Sequence, residues 1–318
     1  MRKIFVNEYG RLRSGWRLLL YFLTIIAVSL LLTVVLRAGY ALVIRTGLAL
    51  PRATFVYEML YRLSLLAAAL IAGYLCARFL EGLPWRSLGL TFHRGWLRDL
   101  LIGSAIGVAS LAVAVVIARL GKGLHFSFGY SFAGIAKSLI GSIPLLIVAA
   151  LAEEAMFRGY GLQTLARARL ASLGVALTCA FFGLVHLSNP NVVPGFTIAN
   201  TMLAGIMLGV AYLRTRSLWF PLGVHWAWNW ALGGLFGLPI SGMKIVSHPL
   251  LEATDTGPVW LTGGSYGIEG GLAGTIAMAL FTLFLWKTSL VSATPELLKM
   301  TSEANPAKVS TDSADLSV

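Results

Sequence analysis

Residues 133–158 read AGIAKSLIGSIPLLIVAALAEEAMFR, a run of membrane-spanning length that closes on two glutamates and an arginine. About 20 mainly apolar residues cross a bilayer. A charge at mid-helix costs about 2.5–3.5 kcal/mol on insertion scales, so each of these three needs a partner or a function.

Outward from this stretch, comparable runs recur along the chain. Eight spans are expected, near residues 17–44, 54–79, 97–119, 133–158, 172–188, 195–213, 217–238 and 268–288. The composition agrees. Of 318 residues 57% are hydrophobic and 12% charged, and the mean hydropathy is +0.79. A soluble domain carries about 25% charged residues, so a water-soluble enzyme is excluded. The expected fold class is all-α, a polytopic transmembrane helix bundle.

The net charge of +12 does not indicate nucleic acid, because the basic residues punctuate the gaps between apolar runs instead of forming a stripe. Counted in alternate gaps, Lys and Arg are more than twice as frequent on the N-terminal side, which places both termini in the cytoplasm. The expected organisation is a basic cytoplasmic segment at 1–16, a helical membrane domain at 17–292, and a disordered cytoplasmic tail at 293–318. Arg2, Lys3, Arg11, Arg13 and Arg17 before the first run resemble a signal peptide, but the run is too long and further spans follow, so an uncleaved helix is expected. Residues 80–96 read as an interfacial segment. Trp16, Trp85, Trp96, Trp219, Trp260 and Trp286, near span ends, read as an aromatic belt. Cys76 and Cys179 fall inside apolar runs and read as small core residues.

Polar residues enter the apolar runs at three places: Glu153, Glu154 and Arg158; then Phe182 and His186; then His225 and Asn229. Glu154 and Arg158 are four apart, acid first, the favourable order for an ion pair on one helical face. Glu153 is rotated by about 100° and faces elsewhere without a local cation. His225 and Asn229 share a face, and either can donate to a developing oxyanion. His186, from another helix, is placed to share activation of a water with Glu153. Alternatively, Glu153, His186 and His225 supply an oxygen and two nitrogens, a three-ligand zinc set. Spacing across three helices does not choose between these.

In order and on successive apolar segments, Glu153-Glu154-x-x-x-Arg158, Phe182-x-x-x-His186 and His225-x-x-x-Asn229 resemble the motifs of the CPBP family of intramembrane proteases, which includes the type II CAAX prenyl endopeptidases. The resemblance covers about residues 140–235. It implies a compact helix bundle enclosing a hydrophilic cavity, and hydrolysis of a peptide bond in a membrane-embedded or lipidated protein or peptide. It assigns water activation to Glu153 and His186 and the oxyanion to His225 and Asn229. Glu154, Arg158 and Phe182 support them, and zinc stays an alternative cofactor. The expected location is a bacterial cell membrane. A non-catalytic scaffold or bacteriocin self-immunity protein of the same fold is the competing reading. A transporter is less well supported, since no internal repeat is visible.

Other residues read as structural. His93, His125 and His248 lie in gaps and are expected to be solvated or interfacial. Asn189, Pro190, Asn191 and Pro194 signal a turn, with Asn189 near His186. The glycine-rich stretch 263–271 lacks a phosphate-loop pattern and reads as a tight loop, with Glu269 capping the last helix.

Overall fold

The structure, a computed structural model, describes residues 2–7, 10–45, 53–193 and 195–302. It is a helix bundle, and among the described residues the only paired strands are two short segments. The principal helices are α1 (Ser14–Arg45), α2 (Ala53–Glu81), α3 (Trp96–Leu120), α4 (Phe132–Glu154), α5 (Tyr160–Arg167), α6 (Ala171–Val185), α7 (Phe196–Thr215), α8 (Trp219–Trp230), α9 (Leu272–Lys287) and α10 (Pro295–Thr301). The chain is an integral multi-pass membrane protein.

Burial is organised for lipid. Apolar side chains such as Leu30, Leu31, Val34 and Val35 on α1 and Leu283 and Trp286 on α9 are more than half exposed, while Arg158, Glu154, Gln163 and Thr164 are fully buried. In water that inversion would be prohibitive; in hydrocarbon it lets polar groups find each other inside the bundle.

Of the eight expected spans, the first six coincide with helices long and apolar enough to cross a membrane. The other two are shorter. The seventh consists of α8 and one wide turn at Ala231–Leu235, and the eighth is α9, 16 residues long. At 1.5 Å per residue α9 covers about 24 Å, less than the hydrocarbon thickness of about 30 Å. Helix α8 needs no such length because protein encloses it: Val224, Ala227, Ala231 and Leu232 are buried between α3, α4 and α7.

Glycines set the closest of these contacts. Gly103 and Gly107 on α3 face α8, and an added Cβ at either would lie 2.3 Å from the carbonyl oxygen of Phe220 or Val224. Gly223 returns the contact against Leu100 at 2.3 Å. Backbones therefore touch, as small residues allow in membrane helices. His225 is thus carried on the helix most tightly fixed to its neighbour.

At the end of the bundle that carries the α1 N-terminus, Glu81 accepts from Tyr160 Oη at 2.9 Å and Thr164 Oγ1 at 2.5 Å and pairs with Arg17 at 2.8 Å and Arg167 at 2.5 Å. Two arginines that read as topological charges in the sequence are therefore buried structural partners. At the opposite end β1 (Leu124–Ser127) pairs antiparallel with β2 (Glu252–Asp255) and ties the α3–α4 connection to the α8–α9 connection.

Two further expectations are corrected. His93 is buried, not solvated. Its Nδ1 lies 3.1 Å from Arg94 O and its Nε2 3.2 Å from Ser217 Oγ, because the 80–96 segment folds back under α8 with Leu218 N–H donating to Gly89 O at 2.8 Å. Within the expected tail, residues 295–301 form α10, capped by Thr294 Oγ1, started by Pro295 and anchored by buried Leu297 and Thr301. Threonine before proline before glutamate is a helix-start signal. Residues 303–318, like Pro194 of the turn signal, lie outside the described residues.

Candidate active site

The three polar insertions meet at a cavity of about 670 Å³, within the usual range for binding pockets. Glu153, Phe182, His186, His225 and Asn229 line it, with Glu269 and Arg62.

Glu153 and Glu154 end α4, where the helix widens into a π-turn over Ala155–Gly159 before α5. Such turns are uncommon inside helices and recur at functional sites. The Tyr21 hydroxyl on α1 holds this one, donating to the carbonyls of Met156 at 2.9 Å and Ala155 at 3.1 Å. A second π-turn, Ala231–Leu235, follows His225 and Asn229 directly.

The two glutamates separate as their rotation requires. Glu154 is fully buried, and its Oε1 accepts from Arg158 Nη1 at 3.0 Å and lies 2.8 Å from His225 Nδ1. Arg158 also donates from Nη2 to Gly205 O on α7 at 3.0 Å, and its guanidinium lies 4.8 Å from the Phe182 ring centre. The pairing of Glu154 with Arg158 is as expected; its extension to His225 is not visible from spacing.

Glu153 turns the other way, to the cavity, with a quarter of its side chain exposed. Its Oε2 lies 3.7 Å from His225 Nε2 and 4.0 Å from His186 Nε2. Those separations exceed a direct hydrogen bond. His186 Nδ1 lies 2.7 Å from Phe182 O. A carbonyl only accepts, so that nitrogen carries the proton, and in the neutral ring Nε2 presents a lone pair to the cavity. Phe182 thus orients His186 through its backbone and covers Arg158 with its ring. Asn229 lies one turn beyond His225 and is part-buried at the cavity wall.

The zinc alternative depends on how Glu153, His186 and His225 present their donor atoms. Atom types are suitable, but among the described residues no group of three His, Cys, Asp or Glu side chains is arranged to hold a metal ion.

Glu269 departs from its expected role. It does not cap α9; its Oε2 accepts from Ser241 N at 2.7 Å and Ser241 Oγ at 3.1 Å, and its Oε1 from Trp228 Nε1 at 3.0 Å. It thereby ties the segment around Ser241 to the helix that carries His225 and Asn229. Asn189 lines the cavity, while His125 and His248 are exposed and away from it. Glu81 and the Gly103–Gly107 contact do not stand out in the sequence, and Glu269 stands out there for a different role. Only the glycine spacing offered a signal, the small-x-x-x-small pattern of close helix pairs.

With this geometry in place, residues 135–231 match the family model described as Type II CAAX prenyl endopeptidase Rce1-like. The match runs from α4 through α8 and contains all seven residues of the three motifs, so the resemblance read from the sequence is met over that segment. Neither curated proteins nor solved structures gave a match to the chain.

Proposed function

We propose that the protein is an intramembrane endopeptidase that hydrolyses a peptide bond of a membrane-embedded or lipidated protein or peptide, with water activated by Glu153 and His186. The convergence of Glu153 Oε2, His186 Nε2 and His225 Nε2 on one cavity wall carries this reading. The family match supports a CAAX-type substrate.

A water between Glu153 and His186 would give up a proton to one of these bases while its oxygen attacks the carbonyl carbon. The resulting oxyanion is met by His225 Nε2–H and the Asn229 amide. His225 must carry both ring protons for this, since Nδ1–H is directed at Glu154. The buried Glu154 carboxylate supplies the compensating charge. Collapse of the tetrahedral adduct expels the amine, which takes the proton back, so protons balance over the cycle.

No step runs through a metal, and chelator treatment is expected to leave turnover unchanged. Both termini are assigned to the cytoplasmic side of the membrane, on the distribution of Lys and Arg. The test uses purified protein in detergent with a prenylated CAAX peptide. Glu153→Gln and His186→Ala should each lower kcat by about 10²–10⁴-fold with the melting temperature retained, since Glu153 faces the cavity. Full turnover in both variants overturns the reading.

A further inference from the structure

One cation lines the cavity, and this mechanism does not use it. Arg62 of α2 is the only Lys or Arg among the described residues that line it. It sits within an apolar span, where a lone cation is costly without a partner. Among the described residues no carboxylate lies within ion-pair distance of it, Glu58 one turn earlier included; the Tyr61 ring centre lies 5.8 Å from its guanidinium carbon. Arg62 is part-buried, whereas the buried arginines among the described residues all have carboxylate partners: Arg17 and Arg167 are paired with Glu81, and Arg158 with Glu154.

Its level in the bundle is also informative. Helices α2 and α4–α5 run in the same direction, and an added Cβ at Gly73 would lie 3.7 Å from Tyr160 Cβ, which sets those two residues side by side. Gly73 follows Arg62 by eleven positions and Tyr160 follows Glu153 by seven. Arg62 is therefore offset from Glu153 by about four residues, or about 6 Å along the helices. An extended peptide advances about 3.3 Å per residue, so a chain lying across Glu153 reaches Arg62 within a few residues of the bond to be cut.

We infer that Arg62 is a specificity-determining residue that binds a carboxylate of the substrate peptide a few residues from the scissile bond. The inference rests on the endopeptidase reading. A guanidinium offers paired donors to a carboxylate and cannot be discharged by burial, so it suits this task better than lysine. The carboxylate is either the peptide C-terminus or an acidic side chain.

Three prenylated CAAX peptides separate the two sources: one with a free C-terminal acid, the same peptide as its amide, and the amide with Asp in the last position. Binding is read by fluorescence anisotropy on full-length Glu153→Gln protein, and cleavage on the protein with Glu153 intact. With Arg62 present, a carboxylate-bearing peptide should bind about tenfold or more tightly than the plain amide, with the difference in cleavage residing in KM. Recovery by the Asp peptide assigns a side-chain carboxylate as sufficient; no recovery assigns the C-terminus. Arg62→Gln should abolish the preference and Arg62→Lys keep part of it. Equal binding of all three peptides, or a preference unchanged in Arg62→Gln, overturns the inference. A binding preference without any cleavage upholds Arg62 and overturns the endopeptidase reading instead.

Discussion

His225 Nδ1 and Glu154 Oε1 lie 2.8 Å apart, and that same oxygen accepts from Arg158. The acid next to the proposed base is therefore the hub of a buried chain from α7 through the π-turn to α8. It holds a histidine ring in one orientation, with the Nδ1 proton directed at the carboxylate.

Removing Glu154 alone should cost more than removing the whole pair. Glu154→Gln leaves the Arg158 charge buried with weak compensation, a destabilisation of about 3–5 kcal/mol. The double variant Glu154→Gln with Arg158→Met should recover most of the melting temperature, because the uncompensated cation is gone. Turnover should stay low in both, since His225 has lost its anion. Thermal unfolding and peptide cleavage measured together check this; recovery of turnover in the double variant contradicts it.

Much of this was legible in the sequence because apolar runs interrupted by charge are rare and each interruption has a cause. The membrane-spanning class, the first six spans, the Glu154–Arg158 pair and the separate orientation of Glu153 follow from hydropathy and helical rotation alone. What was not legible depends on contacts between distant helices. Glu81 lies at the end of a span next to Arg78, where it reads as an ordinary interfacial charge, yet its partners are 64 and 86 positions away at Arg17 and Arg167. Likewise Glu269 precedes a helix and reads as a cap, and nothing local reports that Ser241 and Trp228 reach it first.

The backbone contact between α3 and α8 predicts a steric effect on the site. At Gly107 an alanine Cβ would lie 2.3 Å from Val224 O, so one helix must move, and His225 is the next residue. Gly107→Ala should lower both the melting temperature and kcat. Gly141→Ala on α4, where an added Cβ meets nothing within 4 Å, is the control. It should be neutral or slightly stabilising, by about 0.5–1 kcal/mol from helix propensity. Equal effects at the two positions would refute the close-contact argument.

The Glu81 cluster predicts the opposite division between stability and activity. Glu81→Gln removes the anion shared by Arg17 and Arg167, and leaving those guanidinium groups buried should cost about 3–5 kcal/mol. None of these residues lines the cavity. The fraction of protein that remains folded should therefore cleave substrate with unchanged kcat, measured per folded molecule below the lowered melting temperature. A fall in kcat at constant folded fraction would place this cluster in the catalytic machinery.

Glu269 provides a prediction that depends on counting donors and acceptors. Three protons converge on its two oxygens, from Trp228 Nε1, Ser241 N and Ser241 Oγ. A carboxylate accepts all three, whereas the glutamine amide offers one oxygen and turns an NH₂ toward donors that it cannot satisfy. Glu269→Gln, nearly identical in shape, should therefore behave much like Glu269→Ala, each leaving at least one donor unpaired at a cost of about 1–3 kcal/mol. With Ser241 no longer tied to Trp228, the segment over the cavity should exchange amide protons faster, and KM should rise more than kcat falls. Hydrogen exchange over residues 240–245 together with steady-state kinetics tests both parts. A Gln variant with the exchange and KM of the parent would mean that the negative charge and full acceptor set of Glu269 are not what holds this wall in place.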